Sequence, residues 1–270
     1  MPLALEHVRR MRGGAQSHLM RCRRTADGPD EYYVVKFQNN PQHPRVLVNE
    51  LLATRLAARI GLPTPQVAVI EVRKELIDLT TELAIQIGMG RVPCRPGFQF
   101  GSRYPGDPAL ITVHDFLPDD HLRDVENLAD FAGMLVLDKW TCNTNGRQAI
   151  FFNEPGRSGF TAWMIDQGFC FNAGEWNFPD APLRGLYARH RVYESVRGLH
   201  TFGPWLERLE KIDWRHVFDE VQEEIPPEWY DCDQDALFRL LDKLNTRRRI
   251  VPELIEEARK TYRQPFPNWT

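Results

Sequence analysis

Hydrophobic and polar positions in the first third of the chain follow two periods, one typical of strands and one typical of a helix. Short apolar runs bounded by glycine, proline and asparagine predict strands at residues 5–11, 19–24, 32–37 and 66–72. Between the last two strands, apolar residues recur every four positions, which predicts a helix with one apolar face: Val48, Leu52, Leu56 and Ile60. Gly61 and the two prolines that follow it end this helix.

The next part of the chain, residues 74–118, has a less regular pattern. A helix is predicted over residues 75–87, and a stretch rich in proline and glycine follows at residues 93–108. The apolar run at residues 109–113 predicts a strand, which leads into a hinge that contains Asp115.

Apolar residues in the second half of the chain predict mainly helices. The first helix is buried and leads to Asp138; its apolar positions are Val125, Leu128, Phe131, Leu135 and Val136. Two short strands are predicted next, at residues 148–152 and 161–165. An irregular aromatic-rich stretch follows at residues 169–187, and then come helices near residues 204–211, 235–244 and 252–262.

This order of elements predicts an α+β, bilobal protein-kinase-like fold. The β-rich N-terminal lobe is expected to span residues 1–115, and the mainly helical C-terminal lobe residues 116–270. A chain of 270 residues is long enough for two lobes that each bury a core.

Composition narrows the function classes. The formal net charge of −3 gives no general attraction to nucleic acids or to anionic membranes, so direct binding to either is not expected. No apolar run is long enough to cross a bilayer. The five scattered cysteines form no CxxC pair and no leader is evident, so a cytoplasmic location is expected.

Polar residues cluster between the buried helix and the first short strand. Asp138 and Asn143 have the spacing of the base and the metal-binding asparagine of a kinase catalytic loop, although Asp138 could instead support the loop. Arg147 could neutralise phosphate or pair with Asp138. Asn145 is the favoured position for the base and Asp138 the alternative, but an amide such as that of Asn145 cannot accept a proton at neutral pH.

A second acidic position, Asp166, follows the second short strand and precedes Gln167-Gly168. A carboxylate at the end of a strand, two residues before a glycine, can bind a hard cation such as Mg²⁺. The alternative is an Asx turn that closes a hairpin.

Three features of the N-terminal part are candidates for binding phosphate. Gly13 and Gly14 lie between two predicted strands, where backbone N–H groups can approach an anion or simply form a turn. Lys36 ends an apolar strand and Glu50 lies early in the next helix. This order is that of the lysine and glutamate which position nucleotide phosphates in kinases, although Glu50 could equally stabilise the helix dipole.

The chain resembles the HipA-like kinases and, more distantly, the type II phosphoinositide 4-kinases, over about residues 12–170. The resemblance rests on four segments in this order: Tyr33-Val34-Val35-Lys36-Phe37, Asn49-Glu50-Leu51 with residues 56–65, residues 138–148, and Ile165-Asp166-Gln167-Gly168. It implies a kinase-like fold that binds ATP and Mg²⁺ between two lobes.

The resemblance also implies site residues. Lys36, Glu50, Gly13, Gly14 and the hinge residue Asp115 would bind the nucleotide. Asp166 would bind the metal, with Asn143 and Gln148 as the nearest amide ligands. Asn145 stands where those families have the base aspartate, and Ile150 stands where a metal-binding asparagine is expected.

The sequence therefore predicts a HipA-like kinase that transfers phosphate to a protein serine or threonine or to another hydroxyl. Asn145 supports an alternative, a pseudokinase that binds nucleotide without turnover. A third hypothesis is an interaction protein that binds no nucleotide, in which Lys36 and Asp166 would lie far apart or face solvent.

Overall fold

The computed structural model describes residues 1–154 and 156–270. Its strands are β1 Leu3–Arg10, β2 His18–Arg23, β3 Asp30–Lys36, β4 Val67–Val72, β5 Ala84–Ile87, β6 Gly90–Pro93, β7 Gly97–Arg103, β8 Val113–His114, β9 Gln148–Phe152 and β10 Thr161–Ile165. Its α-helices are α1 Arg45–Arg59, α2 Lys74–Leu79, α3 Asp130–Thr141, α4 Gly203–Glu210, α5 Trp214–Glu224, α6 Gln234–Arg247 and α7 Val251–Arg259. Short 3₁₀ helices lie at Asp119–Asp124, Cys170–Asn172, His190–Tyr193, Leu199–Phe202, Pro227–Tyr230 and Arg248–Ile250.

Five strands of the N-terminal part close into a barrel in the order β1-β2-β3-β7-β4. In this barrel His18 pairs with Arg10 on one side and with Val35 on the other. The turn between β1 and β2 therefore lies at the same end of the barrel as Lys36, the last residue of β3. The predicted strands at residues 5–11, 19–24, 32–37 and 66–72 are confirmed to within two residues at each end.

Helix α1 joins the barrel to the rest of the chain. Its residues from Val46 to Thr54 are all buried, because α1 packs between the barrel and α3 in the larger hydrophobic core. It ends at Arg59, just before the predicted stop at Gly61, whose φ of 79° is a left-handed conformation that glycine adopts readily. A smaller core, centred on Tyr33, Val35 and Ile70, fills the barrel.

Two predictions for residues 74–118 are wrong. The helix expected over residues 75–87 ends at Leu79, and β5 follows, because Leu83, Ala84 and Ile85 are buried one after another and Leu83 and Ile85 pack in the barrel core. Of the strand expected at residues 109–113 only Val113 is in β8, since Asp107 accepts hydrogen bonds from the N–H groups of Leu110 and Ile111 and holds a turn there.

Strand β7 and helix α5 were not predicted. β7 lies in the stretch rich in proline and glycine, yet it is a central strand between β3 and β4. Its Gly101 is required by packing, because a Cβ there would lie 2.4 Å from Ile70 Cγ1. The N-cap of helix α5 is Asp213, whose side chain accepts hydrogen bonds from the N–H groups of Arg215 and His216.

The C-terminal part is mainly helical around α3. Helix α3 is buried from Phe131 to Thr141, and it begins at Asp130, so that Val125 and Leu128 of the predicted helix precede it. The small sheet has the order β10-β9-β8, with β9 and β10 at the predicted positions. In the part of the chain that the structure describes, no helix combines the length and apolar character needed to cross a lipid bilayer.

Candidate functional site

Lys36 lies at the centre of a buried group of charged side chains. Its Nζ donates to Glu50 Oε1 and, at 2.7 Å, to Asp166 Oδ1. Lys36 is 8% exposed and Glu50 is 3% exposed. The strand β3, the helix α1 and the end of β10 thus bring three of the predicted site residues together, although they are far apart in the sequence.

Burial and charge act in opposite directions in this group, and burial together with the nearby Asp166 raises the pKa of Glu50 despite its contact with Lys36. Burial alone would lower the pKa of Lys36, but the carboxylates of Glu50 and Asp166 outweigh it and raise this pKa above its ordinary value. Burial would raise the pKa of Asp166, yet the ammonium group of Lys36 holds that pKa below its usual range. Lys36 is therefore protonated and Asp166 ionised at neutral pH.

The backbone after β10 turns sharply at Asp166, where φ is 63°. This left-handed conformation is tolerated by aspartate, and it lets the Gln167 N–H donate to Glu50 Oε2 at 3.0 Å. Gly168 then passes close to α1, since a Cβ there would lie 2.7 Å from Val46 Cγ1. The Asp-Gln-Gly sequence thus fits tightly against α1.

Asp138 and Arg147 form a second, fully buried ion pair. Arg147 Nε donates to Asp138 Oδ2 at 2.9 Å, and the other guanidinium nitrogens donate to Asp138 Oδ1, to Ile165 O at 2.7 Å and to Gln167 Oε1 at 2.8 Å. Asp138 is 1% exposed. Of the two roles that the sequence left open for Arg147, the structure shows the pairing with Asp138.

Asn143 belongs to the same buried group. Its Nδ2 donates to Asp138 Oδ1 at 3.0 Å, and its Oδ1 accepts from the Asn145 N–H at 3.1 Å. Both ends of the amide are thus used within the loop. These contacts favour a supporting role for Asn143 over the metal-binding role expected from its spacing, and they favour the same role for Asp138 over that of a base.

Asn145 and Gln148 are exposed on this loop. Asn145 Oδ1 accepts from the Gly146 N–H at 2.9 Å. Gln148 Nε2 donates to Asp166 Oδ2 at 2.7 Å, which places the loop beside the group around Lys36. Gln148 is therefore the amide in contact with the predicted metal-binding carboxylate.

The glycine turn lies exposed at the Lys36 end of the barrel. Gly13 has a φ of 117°, and a Cβ on Gly14 would lie 3.2 Å from Gln42 Nε2. Gln16, in the same turn, is bound to the β5–β6 hairpin by two hydrogen bonds with the Gln86 backbone, of 2.8 and 2.7 Å. Asp115 is exposed directly after β8, and in the described ranges no hydrogen bond joins it to this site.

Two buried amides at the site, Asn49 and Gln167, had no predicted role. Asn49 is fully buried in α1, and its Nδ2 lies 2.8 Å from Gly168 O. A signal was present, because Asn49 is a polar residue in a helix whose neighbouring residues are apolar, and a buried amide must find hydrogen-bond partners. Gln167 carried no comparable signal, since its position after Asp166 reads as a turn.

The model of the family described as HipA-like kinase matches residues 5–149, which is more than half of the chain. The chain belongs to the HipA-like kinase family. The match contains Lys36, Glu50 and the loop up to Gln148, and the resemblance inferred from the sequence is confirmed. Among curated proteins, no sequence matches this HipA-like kinase significantly.

Solved structures show the fold of this HipA-like kinase. The Helicobacter pylori proinflammatory kinase CtkA has a TM-score of 0.52 and 14% identity, with 91% of this chain and 92% of that chain covered. The Golgi casein kinase has a TM-score of 0.51 and 10% identity, with 97% and 75% covered. The predicted α+β, bilobal kinase-like fold is confirmed.

Proposed function

We propose that this HipA-like kinase binds ATP with Mg²⁺ and transfers phosphate to a hydroxyl group, with a protein serine or threonine as the expected acceptor. The observation that carries the proposal is the shared position of Lys36 between Glu50 and Asp166. A buried lysine that is fixed by a helix glutamate presents a single positive charge at a defined place, as the binding of nucleotide phosphates requires. The same observation argues against an interaction protein without nucleotide.

The residues at the site fit both groups. Lys36 and the exposed N–H groups of Gly13 and Gly14 would bind phosphate oxygens. Asp166, with the amide of Gln148 turned to present its oxygen, would hold Mg²⁺, which proteins usually bind through one or two carboxylates together with substrate phosphates. The metal supplies charge stabilisation for the transferred phosphoryl group.

The chain's own contribution to transfer is mainly positioning. Lys36 would orient the phosphates. The Asp138–Arg147 pair holds the loop that carries Asn145, and Gln148 after this loop contacts Asp166. Asn145 can orient an acceptor hydroxyl by a hydrogen bond, but it cannot remove the proton. Positioning and charge stabilisation dominate phosphoryl transfer, so a loop that lacks a base can still support slow turnover.

Lys36→Ala is the direct test of nucleotide binding. Loss of a charge-assisted contact with phosphate is expected to weaken ATP binding by roughly 1.5–3 kcal/mol, which is about 10- to 150-fold in Kd. Isothermal titration calorimetry would measure the affinity of the folded variant. Lys74→Ala, which removes an exposed lysine from α2, is the matched control and should bind ATP like the parent chain; equal affinity in the Lys36→Ala variant would exclude Lys36 from the site.

Asp166→Asn tests the metal site. The amide keeps the size of the side chain but removes the negative charge, so ATP affinity should no longer rise when Mg²⁺ is added. Titrations with and without Mg²⁺ would measure this difference. Asp242→Asn, an exposed substitution on α6, should leave the Mg²⁺ dependence intact. Normal Mg²⁺ stimulation of Asp166→Asn would favour a turn-forming role for Asp166.

A second candidate function is a pseudokinase in the cytoplasm that binds nucleotide and changes partners without turnover. What favours it is the family resemblance, which aligns Asn145 with the base aspartate, together with the inability of an amide to accept a proton. ATP binding that depends on Lys36, together with no phosphate transfer to protein substrates or to the chain itself, would support this function over the first.

A further inference from the structure

Asn49 forms an unusual number of contacts with one loop. Its Nδ2 lies 2.8 Å from Gly168 O, 2.9 Å from Cys170 O and 2.8 Å from Ala173 O. Its Oδ1 accepts from Trp176 Nε1 at 2.9 Å. One fully buried side chain on α1 therefore binds four points of the segment at residues 168–176, which directly follows Asp166 and Gln167.

The backbone of this segment is unfavourable by itself. Phe171, Asn172 and Ala173 have φ values of 58°, 57° and 54°, and Trp176 has a φ of 50°. Residues other than glycine rarely adopt such left-handed conformations, and they keep them only where surrounding contacts hold them. Of the carbonyl groups that Asn49 contacts, those of Gly168 and Cys170 precede the consecutive left-handed residues and that of Ala173 ends them, so Asn49 is placed to hold both ends of this run.

Arg45, one turn before Asn49, contacts the same segment. Its guanidinium donates to Gly174 O at 3.0 Å and lies 4.5 Å from the centre of the Trp176 ring. On the other side of Asn49, Glu50 binds both Lys36 and the Gln167 N–H. Through Arg45, Asn49 and Glu50, helix α1 thus holds Lys36, Gln167 and the segment at residues 168–176.

We propose that Asn49 is a positioning residue that fixes Asp166 through the segment at residues 168–176, so that Lys36, Glu50 and Asp166 are assembled before any ligand binds. This inference rests on the proposed function, because it concerns how the metal-binding carboxylate of that site is held.

The test is the variant Asn49→Asp. It keeps the oxygen that accepts from Trp176 but removes the donor and places a negative charge beside three carbonyl oxygens. Hydrogen–deuterium exchange of residues 168–176, measured without ligand, is expected to become about tenfold faster or more. The Mg²⁺-dependent gain in ATP affinity should fall about tenfold, while ATP affinity without Mg²⁺ stays near the parent value, because Lys36 and the glycine turn remain.

Two further variants complete the experiment. Trp176→Phe removes one contact of Asn49 and leaves its three carbonyl contacts, so a smaller increase in exchange, roughly threefold, is expected even if Asn49→Asp does not fold. Gln99→Leu removes another fully buried amide, which binds the backbone of Gln38 and Arg95 within the barrel region, and should leave exchange at residues 168–176 unchanged.

The possible failures can be told apart. Parent-like exchange at residues 168–176 in both Asn49→Asp and Trp176→Phe would overturn the role of Asn49. A parent-like Mg²⁺ gain in folded Asn49→Asp would do the same. If Lys36→Ala binds ATP normally, the proposed function fails, whatever the exchange experiment shows.

Discussion

Asn145→Asp is expected to raise the rate of phosphate transfer by about 10²–10⁴-fold, the usual contribution of a positioned general base. The aspartate can keep the hydrogen bond that Asn145 Oδ1 accepts from the Gly146 N–H, so the loop should not change shape. Transfer of radioactive phosphate from ATP to a generic protein substrate, or to the chain itself, would measure the rate.

The matched control for this variant is Asn153→Asp. Asn153 is exposed beyond β9 and donates to Gly159 O, so this substitution adds the same charge outside the catalytic loop. It should give no gain in rate. If Asn145→Asp binds ATP and Mg²⁺ but transfers phosphate no faster than the parent, Asn145 does not face the acceptor.

Asp138→Asn is expected to destabilise the protein by roughly 3–5 kcal/mol, because it leaves the Arg147 guanidinium buried without its counter-charge. The pair is nearly inaccessible to solvent, and Asn143 also depends on the carboxylate. Equilibrium unfolding in urea would measure the loss as a lower midpoint with an unchanged slope.

A second variant distinguishes a supporting role of Asp138 from a catalytic one. Arg147→Met should cost a similar amount, and the double variant should lose less stability than the sum of the two by roughly 0.5–3 kcal/mol. Glu126→Gln, which breaks the exposed pair with Arg157, should cost at most about 1 kcal/mol. If Asp138→Asn abolished transfer at unchanged stability, Asp138 would be the base and Asn145 would not.

The elements that the sequence predicted well are those in which apolar residues recur with a single period, that of a strand or that of a helix. Strand β3, helix α1 and strands β9 and β10 belong to this group, because their apolar residues face a single core. Strand β7 was missed since its centre contains Gly101, and a glycine gives no apolar signal even where packing against Ile70 requires it. Helix α2 was extended too far because local periodicity does not show where the chain turns back to pair β5 with β6.

The sequence also predicted part of the candidate site. The order of Lys36 and Glu50 along the chain, strand and then helix, was enough to expect them together, and the family resemblance added Asp166 at the strand end. The role of Arg147 was left open because its two partners, phosphate and Asp138, are both compatible with the spacing. The contacts of Asn49 depend on left-handed residues 171–173, and no pattern of apolar residues indicates a backbone of that kind.

The two hydrogen bonds between Gln16 and the Gln86 backbone have a consequence for the thermodynamics of ligand binding. A glycine-containing turn is normally mobile, and its ordering opposes association through lost conformational entropy. In this protein the β5–β6 hairpin already holds the turn before any ligand binds, while Gly13 and Gly14 stay exposed to solvent. An anion that docked there would meet a turn already held by two hydrogen bonds, so less ordering of the protein would oppose its binding.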